Sequence, residues 1–145
     1  MDIGSREYPA RPLVGVGALI IQGSKIVLVR RSKPPSQGEW SIPGGLARVG
    51  ETLTQAVIRE ALEETGLIVR IGPLVDVVER VIRDKNDRVQ FHYVIADYKC
   101  SVISGALVAG SDASNACWAQ KDHLGDFKLP AISLRVIDKA FQMGE

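Results

Sequence analysis

One segment of the sequence, GLARVGETLTQAVIREALEETGL, combines clear helix-boundary signals with an unusual concentration of acidic residues. Thr52, followed three residues later by Gln55, matches the capping-box pattern of a helix N-terminus. Gly66 is suited to the left-handed conformation that ends many helices. These signals predict a helix from about Leu53 to Thr65.

Three acids fall in the last turns of this predicted helix, where the helix dipole disfavours negative charge. Glu60, Glu63 and Glu64 are spaced i, i+3 and i+4, so they share one flank and repel one another by ~0.2–0.5 kcal/mol per pair. A bound cation would offset that repulsion. Mg²⁺ suits the position best, because it prefers oxygen ligands and leaves positions open for phosphates. Taken alone, the trio is equally compatible with a solvated surface run in which Arg59 pairs with Glu63.

The full pattern around these acids is G-x5-E-x7-R-E-U-x-E-E-x-G-U, where U is apolar and every fixed position is filled. The residues at these positions are Gly45, Glu51, Arg59, Glu60, Ala61, Glu63, Glu64, Gly66 and Leu67. This pattern resembles the signature of the Nudix hydrolase family. The preceding run, Trp40-Ser41-Ile42-Pro43-Gly44-Gly45, resembles the W-x-x-P-G-G approach common in that family. Outside these two stretches the likeness is loose.

Length and composition agree with one compact domain. The chain has 145 residues, of which 46% are hydrophobic, enough for a single core. We expect residues 1–9 to form a mobile N-terminal lead and residues 10–145 to form the domain. The resemblance implies an α/β (α+β) fold, the Nudix α/β/α sandwich with a mixed β-sheet.

Runs of β-branched and apolar residues predict the strands of this fold. In chain order they are Leu13–Ile21, Lys25–Arg31, Val69–Arg83, Arg88–Cys100, Val102–Val108 and Ala116–Ala119. The two-residue turn Gly23-Ser24 joins the first pair, and the polar turn Asp84–Asp87 joins the next. Ser32–Glu39, rich in Pro and Gly, is predicted as a loop. A second helix is predicted to begin near Pro130.

Charge, apolar runs and cysteine content indicate which partners and which cellular compartment to expect. The formal net charge is +1, with acids and bases interspersed, so the chain lacks the basic stripe that binds nucleic acid polymers. No run reaches the ~18–20 apolar residues of a membrane span, and no signal peptide opens the sequence. Cys100 and Cys117 have no metal-like or redox-like spacing, which predicts reduced thiols in a cytoplasmic protein.

The resemblance implies hydrolysis of a pyrophosphate linkage with Mg²⁺, for which Mn²⁺ is a substitute. In the family pattern the usual metal ligands correspond to Glu60 and Glu64, with Glu63 as a further ligand or as the general base. The backbone carbonyl of Gly44 corresponds to another ligand. A plain turn at Pro43-Gly44-Gly45 is the alternative interpretation of that segment.

Glu51 and Arg59 are interpreted as an ion pair that holds the loop against the helix and orients the ligands, with Gly45 beside them. A simple surface pair is the alternative for Arg59. Asp112 resembles the position where many relatives carry a Glu that serves as the base, although a solvated turn residue would look the same. Arg30 and Arg31, at the end of the second strand, are candidate phosphate ligands or ordinary solvated strand ends.

The substrate expected from the resemblance is a small nucleotide. The lead Tyr8-Pro9-Ala10-Arg11-Pro12 and the strand Phe91-His92-Tyr93-Val94 look most like short ADP-ribose pyrophosphatases, so ADP-ribose or a related nucleotide sugar comes first. A nucleoside triphosphate such as an oxidised dGTP is the alternative, and a non-catalytic regulator that binds a nucleotide sugar is a further one. A homodimer is left open.

Overall fold

The computed structural model describes residues 6–144 as one mixed, seven-stranded sheet with two helices and a 3₁₀ segment. The strands are β1 Leu13–Gln22, β2 Lys25–Arg31, β3 Trp40–Ser41, β4 Gly44–Leu46, β5 Leu67–Arg83, β6 Val89–Gly105 and β7 Ala113–Gln120. The helices are α1 Leu53–Thr65 and α2 Ala131–Gln142, and the 3₁₀ segment is Lys121–Phe127. Neither helix has the length and apolar content of a membrane span.

The main path through the sheet runs β3-β2-β1-β6-β5, with β4 paired to β1 and β7 paired to β2. β1 and β6 pair in parallel, whereas the other pairs are antiparallel. The mixed sheet predicted by the resemblance is therefore confirmed. The predicted two-residue turn between β1 and β2 is also confirmed, since Gln22 pairs with Lys25.

The two helices cover opposite faces of the sheet. Val16, Ala18 and Ile20 of β1 pack with buried residues of α1, while Leu19 packs with buried residues of α2. Because successive strand residues point to opposite faces, β1 is buried on both sides. This arrangement is the predicted α/β/α sandwich.

Helix α1 has the predicted bounds because its sequence carries both caps. The Thr52 hydroxyl accepts from the Gln55 amide, and the Gln55 side chain accepts in return from the Thr52 amide. Gly66 ends the helix at φ 74°. A Cβ at Gly66 would lie 2.6 Å from the carbonyl oxygen of Ala106, so space as well as backbone angle requires glycine.

One strand prediction was wrong, and two short strands were not predicted. A separate strand at Val102–Val108 does not form, because β6 runs without a break to Gly105 and pairs with β5 from Leu67 onwards. The short strands β3 and β4 were not predicted, since the run around Pro43 has the composition of a turn. β4 becomes a strand because β1 offers it an edge, with Gly15 to Gly17 as its partners. Such pairing outweighs local propensity.

Part of the predicted N-terminal lead lies outside the described residues, namely 1–5. Within the described part, the Tyr8 amide donates to the Gln90 carbonyl and its hydroxyl to Asp84, both at 2.7 Å. The mobility of residues 1–9 stays a prediction. Cys100 and Cys117 are both free thiols, the first in β6 and the second in β7.

Candidate active site

Arg59 lies at the centre of the acidic cluster at α1 and donates hydrogen bonds to three carboxylates. Its Nε and Nη2 donate to the two carboxylate oxygens of Glu51, at 2.6 and 2.9 Å. The Arg48 amide donates to the same carboxylate at 3.0 Å. The hydrogen bonds from Arg59, followed by that from Arg48, lower the pKa of Glu51 to about 2. Glu51 is therefore ionised at neutral pH and ties the loop before α1 to the helix.

The same guanidinium also reaches the acids of the helix and the neighbouring strand. Nη1 of Arg59 donates to Glu60 at 2.7 Å and to Glu63 at 3.3 Å. Nη2 donates to the carbonyl of Leu46 in β4 at 3.0 Å. Glu63 has a second cation nearby, because Arg48 lies 3.7 Å from its other oxygen. One side chain thus joins α1, β4 and the intervening loop.

Glu64 is the most buried acid of the cluster, with 6% of the residue exposed. The Gly44 amide donates to its carboxylate at 3.0 Å. Burial raises the pKa of Glu64 to about 7, against the effect of the Gly44 amide and with a further contribution from Glu60. Burial likewise raises the pKa of Glu60, although the hydrogen bond from Arg59 opposes it.

The glycines of β4 allow the carboxylates to approach the backbone. A Cβ at Gly45 would lie 2.5 Å from the carboxyl carbon of Glu60. A Cβ at Gly44 would overlap the carbonyl oxygen of Val16. The Pro-Gly-Gly segment is therefore more than a turn: it lets β4 fit between β1 and the acidic flank of α1.

The carboxylates of Glu60, Glu63 and Glu64 are hard oxygen donors of the kind that Mg²⁺ prefers. Arg59 binds the first two and the Gly44 amide binds the third. Within residues 6–144, no three acidic, histidine or cysteine side chains converge closely enough to hold a metal ion. These carboxylates have the chemistry that a divalent cation requires. To bind one, they would have to replace their hydrogen bonds to Arg59 and to the Gly44 amide by bonds to the ion.

A cleft opens beside Gly44 and Gly45 on the face of the sheet that α2 covers. Its walls are mostly apolar and include Ile42, Val78, Ile95, Ile132 and Val136. Its polar side chains are fewer and include Arg31, Arg80, Tyr93, Asp97 and Ser133. An apolar concave surface with a few polar groups is the usual form of a small-molecule site.

Comparison with known proteins agrees with this arrangement. The sequence profile of the NUDIX domain family matches residues 11–139. The chain belongs to the Nudix family. Nudix hydrolases generally use divalent metals. The acidic segment from Gly45 to Leu67 is therefore the Nudix box of this chain, a name kept below.

Individual relatives show how far the likeness extends. An ADP-ribose pyrophosphatase of Methanocaldococcus jannaschii is 40% identical over 115 residues, so the match spans 79% of this chain and 66% of that protein. A solved MutT NUDIX hydrolase from Burkholderia pseudomallei has a TM-score of 0.77 and 28% identity, covering 89% of this chain and 98% of its own. The NUDIX domain of Shewanella oneidensis NrtR, complexed with ADP ribose, shares the fold with a TM-score of 0.72 and 23% identity over 91% and 88% of the two chains.

Asp112 lies on the loop before β7, close to the Nudix box. Its carboxylate pairs with Lys33 at 2.9 Å, and 40% of its side chain is exposed. Its carbonyl accepts from the amide and the hydroxyl of Ser32, at 2.9 and 2.7 Å. The charge of Asp112 contributes to the raised pKa of Glu60 and of Glu64. The structure therefore brings this loop acid into the neighbourhood of the box.

The two candidate phosphate ligands point in different directions. Arg31 lines the cleft and donates to the Pro35 carbonyl at 2.7 Å. Arg30 is exposed, donates to the Gly38 carbonyl at 2.8 Å and is not among the described residues that line the cleft. The charge of Arg31 also lowers the pKa of Glu64, which shows that Arg31 lies near the acidic cluster as well as in the lining of the cleft. Of the two candidates, only Arg31 is therefore brought to the site.

Several polar residues of the cleft were not predicted from the sequence, among them Arg80, Asp97 and Ser133. Asp97 carried a usable signal, because it interrupts the apolar run YVIADY, where a charged residue is rarely buried. Arg80 and Ser133 carried none, since they lie on the polar positions of amphipathic elements. Only the folded sheet shows that both face the cleft.

Proposed function

We propose that this protein hydrolyses ADP-ribose or a related nucleoside diphosphate sugar in a Mg²⁺-dependent reaction. The observation that carries the proposal is the junction of two features at Gly44 and Gly45. On one side lie the carboxylates of the Nudix box, and on the other lies an apolar cleft. A nucleotide in the cleft would hold its diphosphate beside those acids. The name of the Methanocaldococcus jannaschii relative supports the choice of substrate.

Glu60, Glu63, Glu64 and the carbonyl of Gly44 are the groups we assign to holding Mg²⁺, with Mn²⁺ as a substitute. When bound, the ion neutralises phosphate oxygens and favours formation of hydroxide from water. Arg59 donates hydrogen bonds to Glu60 and Glu63 and so orients their carboxylates on the flank of α1. Its link to Glu51 fixes the guanidinium, so this pair acts by positioning the acids.

The remaining roles concern the substrate and the proton. Arg31, at the edge of the cleft, is placed to bind the phosphates. Arg30 does not line the cleft and drops out of the proposed site. The base that takes a proton from water is either Glu63 of the box or Asp112 on the loop beside it, whose side chains are 36% and 40% exposed.

A nucleoside triphosphate is the second candidate substrate. The similarity to the MutT NUDIX hydrolase from Burkholderia pseudomallei, at 28% identity over nearly its whole length, favours it. A non-catalytic regulator fits less well, because such a protein has no need of three acids at an unfavourable helix end. An intact box with ordered partners for every acid argues for turnover.

The substrates leave different products, which provides the test. ADP-ribose, GDP-mannose, NADH, diadenosine polyphosphates and (deoxy)nucleoside triphosphates are incubated with the purified protein in Mg²⁺ and, as a control, in excess chelator. We expect AMP and ribose phosphate from ADP-ribose, and no product in chelator. A tenfold or greater preference for a triphosphate in kcat/KM would replace the first candidate by the second. No turnover of any substrate would favour the regulator.

We also propose a cytoplasmic location, because both cysteines are free thiols and disulfides are rare in reducing compartments. The proposed partner is the small nucleotide, with neither a nucleic acid polymer nor a membrane. Light scattering of the purified chain would determine whether it forms the homodimer that the sequence leaves open.

A further inference from the structure

Asp97 lies in the same row of the sheet as Gly44, the residue just before the Nudix box. Gly44 of β4 pairs with Gly17 of β1, and Gly17 pairs with Asp97 of β6. Paired residues project from the same face of a sheet, and neighbouring strands are ~4.8 Å apart. Asp97 is therefore about 10 Å from Gly44, and the row between them is glycine backbone without side chains. Gly44 and Gly17 thus form a strip without side chains, the glycine strip, which leads from the edge of the box into the cleft.

The carboxylate of Asp97 points along this strip. A Cβ at Gly17 would overlap an oxygen of Asp97, so the acid lies over Gly17, on the side towards the box. Glycine at position 17 leaves the space that this side-chain oxygen occupies. Asp97 lines the cleft although only 4% of the residue is exposed.

The side-chain carboxylate of Asp97 receives no hydrogen bond and forms no ion pair with any residue in the described part of the chain. The charged group that acts on it is another acid, Asp76. Buried acids are nearly always paired, so an unpartnered one calls for an explanation. No fully enclosed side-chain oxygen in residues 6–144 lacks a partner, which means that the oxygens of Asp97 open into the cleft. A ligand in the cleft can therefore supply the missing partner.

We propose that Asp97 binds the amino edge of an adenine base in the cleft and thereby selects the base of the substrate. This inference rests on the proposed function. The walls around Asp97, which include Ile42, Val78 and Ile95, suit a flat apolar ring better than a ribose, whose several hydroxyls would each need a polar partner. The glycine strip gives the ring access from the end where the diphosphate lies.

The chemistry of the two groups is complementary. Adenine presents an amino donor next to a ring-nitrogen acceptor. A neutral carboxyl group presents one O–H donor and one carbonyl acceptor, so the two can form a pair of hydrogen bonds. Burial raises the pKa of Asp97 to about 7, with a smaller contribution from Asp76, which keeps the neutral form populated near neutral pH. A base with an oxygen in place of the amino group would not donate at this position.

The test compares ADP-ribose with its analogue in which unsubstituted purine replaces adenine. We expect the wild-type protein to prefer ADP-ribose by about 10–100-fold in kcat/KM, because the analogue leaves a buried acid unpaired. Asp97→Ala should reduce this preference to within about threefold, by lowering turnover of ADP-ribose while leaving the analogue nearly unaffected. Asp97→Asn, which offers one donor and one acceptor, should restore the preference.

Asp76→Asn is the matched control. Asp76 pairs with Asp97 across the sheet, but 46% of its side chain is exposed and it contacts Lys139 at 3.8 Å. This variant should keep the wild-type preference. An unchanged preference in Asp97→Ala would overturn the inference even if ADP-ribose is the substrate. If the wild-type protein hydrolyses no adenine nucleotide, the proposed function fails, and calorimetric binding of AMP and purine riboside monophosphate to the same variants then tests Asp97 separately.

Discussion

Arg59 donates two hydrogen bonds to the carboxylate of Glu51, at 2.6 and 2.9 Å, and its Nη1 donates to Glu60 at 2.7 Å. The planar guanidinium is suited to this task because its donors diverge in a fixed fork. The loop that begins at β4 and the acidic flank of α1 are consequently held by one rigid group. A substitution that removes the guanidinium group should therefore weaken the attachment of the loop and the positioning of the acids on α1.

Arg59→Lys removes the fork but keeps the positive charge. We expect kcat/KM in Mg²⁺ to fall by about 10–100-fold, the range typical of residues that orient metal ligands. Unfolding in urea should show a loss of roughly 1–3 kcal/mol, because a partly buried carboxylate loses its hydrogen bonds. Arg83→Lys is the control, since Arg83 is exposed and lies 3.9 Å from Asp87. Wild-type activity in Arg59→Lys would exclude a positioning role.

Glu64→Gln keeps the shape of the most buried box acid and removes its charge. We expect turnover to fall by at least ~10²-fold, because a proposed ligand of the cation is lost. The thermal midpoint without metal should not decrease, since the variant no longer buries an ionisable group. Glu39→Gln, an exposed site outside the box, controls for loss of charge alone. Calorimetric Mg²⁺ binding that equals wild type in Glu64→Gln would contradict the assignment.

Gly45→Ala tests the close approach of β4 to α1. The added Cβ would lie 2.5 Å from the carboxyl carbon of Glu60, so either that side chain or the strand must move. We expect at least tenfold lower turnover and a loss of roughly 1–3 kcal/mol in unfolding free energy. Gly125→Ala is the matched control, because no atom lies within 4 Å of its added Cβ. If both variants behave alike, steric fit at Gly45 is irrelevant to the site.

The sequence predicted α1 to the residue, because capping is encoded within a few positions of each end. It also predicted which acids share a flank, since helix spacing fixes this. It did not predict β4, which exists only because β1 provides an edge. It did not separate Arg30 from Arg31 either, because only the fold around the end of β2 brings Arg31 close to Glu64 and the cleft. Asp97 was missed although its position within an apolar run was a usable signal.

Asp112→Asn distinguishes the two candidate bases. If Asp112 takes the proton from water, turnover should fall with little change in Mg²⁺ affinity, because the variant keeps its size but cannot accept a proton. We expect a loss on the order of 10²-fold, within the usual contribution of a general base. Lys33→Gln tests whether the salt bridge at 2.9 Å matters to that role. A fully active Asp112→Asn protein would assign the base to Glu63.

Asp97 should make the stability of the protein depend on pH in the absence of metal. In the unfolded chain its carboxyl ionises near pH 3.8, whereas burial, with a contribution from Asp76, raises the pKa in the folded state to about 7. Between pH 3.8 and about pH 7 the carboxyl of Asp97 is protonated in the folded state and ionised in the unfolded chain. The free energy of unfolding therefore falls as the pH rises through this range, and it falls no further above about pH 7. Asp97→Asn cannot ionise, so its stability relative to wild type should increase from pH 4 to pH 8 by on the order of 2–4 kcal/mol. Urea unfolding of both proteins in chelator at the two pH values measures this difference. The titration of Glu64 does not affect it, because Glu64 is present in both proteins. A relative stability that is the same at both pH values would show that Asp97 is ionised in the fold.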